Sequence, residues 1–301
     1  MGICFSMLQE FLLLAHRSKI GSGPTLADFF HESAKRFAHS IYSFFKEAVS
    51  CFGTLNEDRK LSIQQLADSV WEACAFLKTI PTTNYAAIVR EITRVAKSME
   101  GALRQLKNLK PASSENPTNE NTTDELTTDL NEKDDDDDVD NGSFEGGEIG
   151  NGLSPDEMKM AESAVIFFSD TLIVIKELVC FITGLGRHSK PSNNDAKSVR
   201  LLELSFERCR NIKLCMYELG VDLYPPQEVT ALKLGVVDTS DEIRKLQEDV
   251  RQFEDASCDS FLQACECALS SLRNMKTELD SLEPILEASE MHICELCCVR
   301  H

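Results

Sequence analysis

Apolar residues recur every three or four positions along most of the chain, which is the period of an amphipathic helix. Starting at Leu26, the positions Phe30, Phe37, Ile41, Phe44, Ala48 and Cys51 share one helical face, and Gly53 ends the run. Gly21-Ser22-Gly23-Pro24 breaks the chain before it, with Thr25 as the expected cap. A second helix is expected from about Ser62 through Leu66, Val70, Cys74 and Leu77, with Pro81 as its stop. A third, Thr83 to about Leu109, carries Ile88, Ile92, Val95, Met99, Leu103 and Leu106. With the opening segment Met7 to Ala15, these make an antiparallel bundle of about four helices.

The pattern resumes at Ser154-Pro155-Asp156-Glu157, where Ser154 caps, Pro155 takes the first helical position and Glu157 closes a capping box. The helix that follows ends at Gly184 or Gly186. Its stretch Val165 to Leu185 holds 13 Leu, Ile, Val and Phe residues together with Asp170, Lys176 and Glu177. On an insertion scale the apolar residues supply roughly −4 to −8 kcal/mol and three charges cost up to about 10, so the stretch is not expected to span a membrane. Its polar residues repeat at seven, Glu162-Ser163, Ser169-Asp170, Lys176-Glu177 and Thr183. That is one narrow wet stripe on a bundle helix buried elsewhere.

Asn194-Asp195 opens another helix, with Val199, Leu202, Phe206 and Cys209 facing inward, and Tyr224-Pro225-Pro226 closes it. A helix from Val229 to about Val237 comes next, and Asp238-Thr239-Ser240-Asp241-Glu242 reads as a turn with a new cap. The last helix has the cleanest period: Cys258, Phe261, Cys265, Ala268, Leu272, Met275, Leu279, Leu282 and Leu286 alternate spacings of three and four. Pro284 should end it near Glu283, since an interior proline costs about 3 kcal/mol. This seam has two readings. It packs inside the C-terminal bundle, which residues such as Phe261 and Cys265 favour, or it is a zipper-like face in which Phe261, Leu272, Met275, Leu279 and Leu282 are lent to a partner helix.

Between the helical halves, residues 111–153 hold 14 Asp and Glu against one Lys, a net of −13 in a chain of net −19. Few large apolar side chains and strong self-repulsion make this a disordered acidic linker. The expected organisation is therefore all-α: an N-terminal helical bundle over 1–110, the linker over 111–153, a C-terminal helical bundle over 154–283 and a tail over 284–301. A sequence pI near 4.7 argues against direct nucleic-acid binding, because phosphate contacts need a block of Lys and Arg. Twelve Cys, mostly at apolar helical positions of a chain this long, read as reduced core thiols rather than a disulfide scaffold.

Candidate chemistry is sparse. The six His, at 16, 31, 39, 188, 292 and 301, sit in no catalytic motif with Ser or Cys, and no glycine-rich phosphate loop exists, so no enzyme and no cofactor are expected. His292, Cys294, Cys297, Cys298 and His301 are zinc-type ligands, but their spacing is tighter than a finger's and no second half follows. The run Asp134 to Asp138 lacks the turn glycine of an EF-hand, so no metal is expected there either. Apolar Phe11 to Leu14 is too short for a signal peptide. Gly2 and Cys4, with Ser6, fit an acylation pattern, so an acylated membrane-peripheral bundle adaptor of the talin or vinculin type is the alternative reading.

At Val70-Trp71-Glu72-Ala73-Cys74, then Ile80-Pro81 and Asn84 with Ala86 and Ala87, the chain resembles the cyclin-D-binding protein 1 family. The likeness extends to the acidic linker and to Leu223-Tyr224-Pro225-Pro226. Measured against that family, the N-terminal half looks short and the tail after Glu283 has no counterpart. The resemblance implies a non-enzymatic, all-helical regulator of the cell cycle and transcription, working in nucleus and cytoplasm. Its implied partners are D-type cyclins and helix-loop-helix transcription factors, which it would hold off DNA without touching DNA itself. It assigns no interface residue, and Trp71 reads equally as core packing or as contact surface.

Overall fold

In the computed structural model the described residues are 6, 9–13, 16, 21–50, 57–111, 152–188, 196–253 and 257–298, with side chains described outside 57–60 and 282–298. Helical residues at 6, 9–13 and 16 precede seven helices: α1 Pro24–Ser50, α2 Glu57–Leu77, α3 Asn84–Lys107, α4 Pro155–His188, α5 Ala196–Asp222, α6 Val229–Arg251 and α7 Asp259–Cys298. The fold is all-α. Its one extended feature among the described residues is an isolated bridge between Pro111 and Leu153, where the Leu153 N–H donates to the Lys110 carbonyl at 3.1 Å.

Contacts divide the chain into two compact units. One comprises Met1–Val95, Val174–Asn211 and Glu242–Cys265; the other comprises Ala96–Ile173, Ile212–Asp241 and Glu266–His301. This grouping differs from the chain-order stretches 1–110 and 154–283, because α3 to α7 each contribute residues to both units. Length gives the reason. At 1.5 Å per residue, the 34 residues of α4 run about 51 Å, more than one small core covers.

In the first unit, α1 packs on α2, and the entry to α1 is fastened from two sides. The Gly23 N–H donates to Asn84 Oδ1 at 2.8 Å. The Thr25 N–H and hydroxyl both donate to Glu203 of α5, at 3.0 and 2.7 Å. Thr25 is thus not the cap expected of it: the helix starts at Pro24, and a carboxylate from α5 satisfies its orphan donor. A Cβ at Gly23 would run into Val199 and Glu203, so only glycine fits this approach. At α3 the expectation is met closely. Thr83 Oγ1 accepts the Ala86 N–H at 3.1 Å, and the helix starts at Asn84. Farther along, Arg208 of α5 reaches Asp249 and Glu242 of α6 at 3.2 and 3.4 Å, and Asn211 and Lys245 add bonds to Glu242.

In the second unit the capping box forms as the spacing predicts. The Ser154 N–H donates to Glu157 Oε2 at 2.8 Å, and the Glu157 N–H donates to Ser154 Oγ at 3.3 Å. The stripe of α4 turns out to be partly covered by α7. Ser163 Oγ donates to Glu278 at 2.5 Å, and Ser271 Oγ donates to Asp170. One residue number rises as the other falls, so the two helices run antiparallel. The rest of α4 is not wholly buried as expected, since Ile166 and Ile173 are exposed.

Three further expectations are corrected. α6 runs unbroken through 238–242, because the Thr239 and Ser240 hydroxyls bond back to the carbonyls of Gly235 and Val236 at 2.7 and 2.8 Å instead of capping a new helix. α2 begins at Glu57, ahead of Ser62. α7 continues through Pro284 to Cys298: a proline removes one N–H from the ladder, and here the helix carries on past it.

Candidate interaction surface

Most residues of the Val70 to Asn84 block hold the fold. Ala73, Pro81 and Asn84 are buried, and Val70, Cys74 and Ile80 are half-buried. The burial of Asn84 follows from its job, since its side-chain oxygen takes the Gly23 N–H and its amide lies 3.5 Å from the Gly21 carbonyl. Trp71 is the exception. It is 73% exposed, although a lone tryptophan among helical apolar positions usually packs.

Trp71 is not isolated. Arg36 of α1 lies over the Phe76 ring of α2, 4.9 Å from its centroid, which fixes the register of the two helices. Counting about 100° per residue from that contact puts Tyr42 and Val49 of α1 on the same flank of the pair as Leu61 and Trp71 of α2. All four are exposed. The opposite flank is the covered one: Phe37 meets Phe11 edge-on at 5.1 Å, and Phe29 lies under Arg90 and Arg94 of α3. The α1–α2 pair therefore turns an amphipathic inner side to its neighbours and leaves an apolar strip outside, bordered by exposed Lys46, Asp68 and Glu72. Clustered exposed apolar side chains with an aromatic anchor are the usual make-up of a protein-binding face.

The α7 seam is different. Phe261, Leu272, Met275 and Leu279 are buried, so they are interior packing and not a face lent to a partner; Leu282 lies outside the described side chains. Their three- and four-residue spacing is the same in both readings. What separates them is whether another helix already fills the groove, as the α4 contacts to Ser271 and Glu278 indicate for this side of α7.

Among the described residues no set of three or more His, Cys, Asp or Glu could hold a metal ion, and the His292 to His301 cluster lies outside the described side chains. Gly2 and Cys4 lie outside the described residues too. Cys209 and Cys265 are buried together, and burial with the neighbouring thiol pushes Cys209 well above the ordinary thiol range. Cys180 and Cys267 are exposed, so the core placement expected of the cysteines holds only for some. Cys209 and Cys265 are closed off from solvent. A cavity of about 470 Å³ between α4 and the start of α7 is walled by Phe181, Leu185 and Phe261, with Glu177, Cys180 and Cys258 at its edge. No described helix is long and apolar enough to cross a membrane.

An apolar, tryptophan-centred strip on a helical body is the kind of surface through which proteins bind other proteins. The chain belongs to the Grap2 and cyclin-D-interacting family: the model of the family's N-terminal part matches residues 1–112, and that of its C-terminal part matches residues 132–248. The family is defined by an interaction and not by a reaction. Comparison with curated proteins returned no match.

Proposed function

We propose that this protein is a non-enzymatic regulator that binds a D-type cyclin through the α1–α2 strip around Trp71. Family membership supplies the partner class, and the observation that carries the reading is the 73% exposure of Trp71 on an apolar flank while Ala73, Pro81 and Asn84 of its block are buried. Exposed tryptophans are over-represented among residues whose truncation costs most of a binding energy. The same reading places the protein in nucleus and cytoplasm. It extends to helix-loop-helix transcription factors, held away from DNA by a partner whose net charge of −19 disfavours phosphate.

Titration calorimetry of the full chain with a purified D-type cyclin tests this. Trp71→Ala should weaken binding by roughly tenfold or more. Its thermal unfolding should stay close to that of the unaltered protein, because the side chain lies outside the core. Equal affinity of the two proteins would remove the strip from the reading. Absence of binding by the unaltered chain would remove the cyclin.

A further inference from the structure

We propose that the exposed basic face of α3 is a docking surface for the chain's own acidic segment, residues 112–151. Three observations support this independently of the Trp71 strip. The first is charge on α3 and its exit. From Asn84 to Lys110 there are six Lys and Arg against two Glu, in a chain whose total is −19. Lys97, Arg104, Lys107 and Lys110 are all exposed, and none makes an ion pair or side-chain hydrogen bond with another described residue. Lys97 and Arg104 are seven residues apart on one stripe. Between them, Gly101 has nothing within 4 Å of where a Cβ would stand, so the stripe is open as well as basic.

The second observation is where the acidic segment begins and ends. Pro111 and Leu153 form a bridge, Leu153 is buried, and its N–H is held by the Lys110 carbonyl at 3.1 Å. Both ends of the segment are therefore pinned at the exit of α3. All 14 carboxylates of the stretch lie between those pins, against the single Lys133. Tethering at two points beside the cations makes the encounter intramolecular, which raises its effective concentration far above that of any free acidic peptide.

The third is reach. Lys97 lies about 20 Å along the helix from Lys110, at 1.5 Å per residue. Asp134 to Asp138, the densest charge, is at least 15 residues from either pin, a contour of about 50 Å. The tether is therefore long enough for the run to reach any point of the basic stripe. Oppositely charged contacts of this kind are individually weak and screened by salt, so the docking is electrostatic and reversible. An acidic surface on another protein would compete for the same cations.

Zero-length carbodiimide crosslinking of the full chain, read by peptide mass spectrometry, tests this. The Lys233–Asp280 pair, 2.9 Å apart, is the internal control for the reaction. At about 20 mM salt, Lys97 and Lys107 should join to carboxylates of 112–151, and at about 0.5 M salt the yield should fall roughly tenfold while the control pair falls less. In a Lys97→Gln, Arg104→Gln, Lys107→Gln, Lys110→Gln variant, hydrogen exchange across 112–151 should be faster than in the unaltered chain. Crosslinks to Lys35, Lys46 and Lys78 as abundant as those to Lys97 would overturn the proposal. So would crosslinks that form only between differently isotope-labelled copies, or unchanged exchange in the variant.

Discussion

Asn84 shows how much one side chain carries when its partner is a backbone group. The Gly23 N–H donates to the Asn84 oxygen, and both groups are buried. Asn84→Ala should therefore cost about 1 to 3 kcal/mol, the penalty of an unpaired buried donor, read as a lower urea midpoint at unchanged slope. Glu157 makes a comparable link. One oxygen closes the capping box with Ser154, and the other takes the Gln227 N–H at 3.2 Å. Burial pushes its carboxyl up, but the bonds from Ser154 and Gln227 together outweigh burial and hold it below its ordinary value of 4.5. The unfolded chain then binds the proton more readily than the folded one. Stability from this group is full above about pH 4.5 and is lost as pH falls through the lowered folded value. Glu157→Gln should flatten that part of the acid limb and cost about 0.3 to 1 kcal/mol near neutrality, because glutamine also fills this position of the box and only the charge is lost, measurable by denaturation at a series of pH values. The Ser154 half of this arrangement was legible, because a capping box spans three residues. The Gln227 half was not, since nothing local in the sequence points 70 residues ahead. Trp71 was open for the same reason: its helix was plain, but exposure depends on which flank of α1–α2 other helices cover.

Helices were read well where the period was clean and poorly where polar residues looked like caps. The run from Asp238 to Glu242 has the composition of a turn, yet Thr239 is fully buried, with its hydroxyl on the Gly235 carbonyl, and Val236, Ile243 and Leu246 continue one buried face across it. Serine and threonine offer the same atoms to a cap and to a back-bond, so composition alone does not choose. Thr239→Pro distinguishes the arrangements. In a continuous α6 it removes a ladder bond and should cost about 3 kcal/mol or more in chemical denaturation, whereas a turn at 239 would absorb it cheaply. In α7 the heptad-like pattern was unmistakable, but its direction was not, because a seam for a partner and a seam for α4 have the same spacing. The burial of Leu272 decides it. Leu272→Ala should cost about 2 to 5 kcal/mol in the isolated protein, with or without a partner present, which thermal unfolding of both samples would show. The stripe of α4 was visible too, and Ser163 and Asp170 do mark one side of the helix. Only the structure supplies Glu278 and Ser271 as what they meet.

At the level of the whole chain, 112–151 interrupts the sequence without dividing the cores in the same place. Each compact unit draws on residues from both sides of it. Within the first unit the joining contacts are specific: Thr25 to Glu203, Gly23 against Val199, and Tyr85 beside Gly186, where a Cβ would sit 3.1 Å away. Within the second, Leu153 pairs with Lys110 and Pro111. Composition exposes a charge break clearly, but it carries no record of which helices meet after it, and so chain order suggested two self-sufficient halves. The two pictures make opposite predictions for fragments. If 1–110 and 154–301 were each complete, either alone would unfold cooperatively. With cores shared across the break, 1–110 alone should show reduced helicity by far-UV circular dichroism and no sharp thermal transition, because α1 loses the carboxylate that holds its first turn and α3 loses the strand-like pairing at its exit. Mixing or co-expressing the fragments should restore both signals. Cooperative melting of 1–110 by itself would mean that the contacts to Glu203, Val199 and Gly186 add little to a core already closed without them.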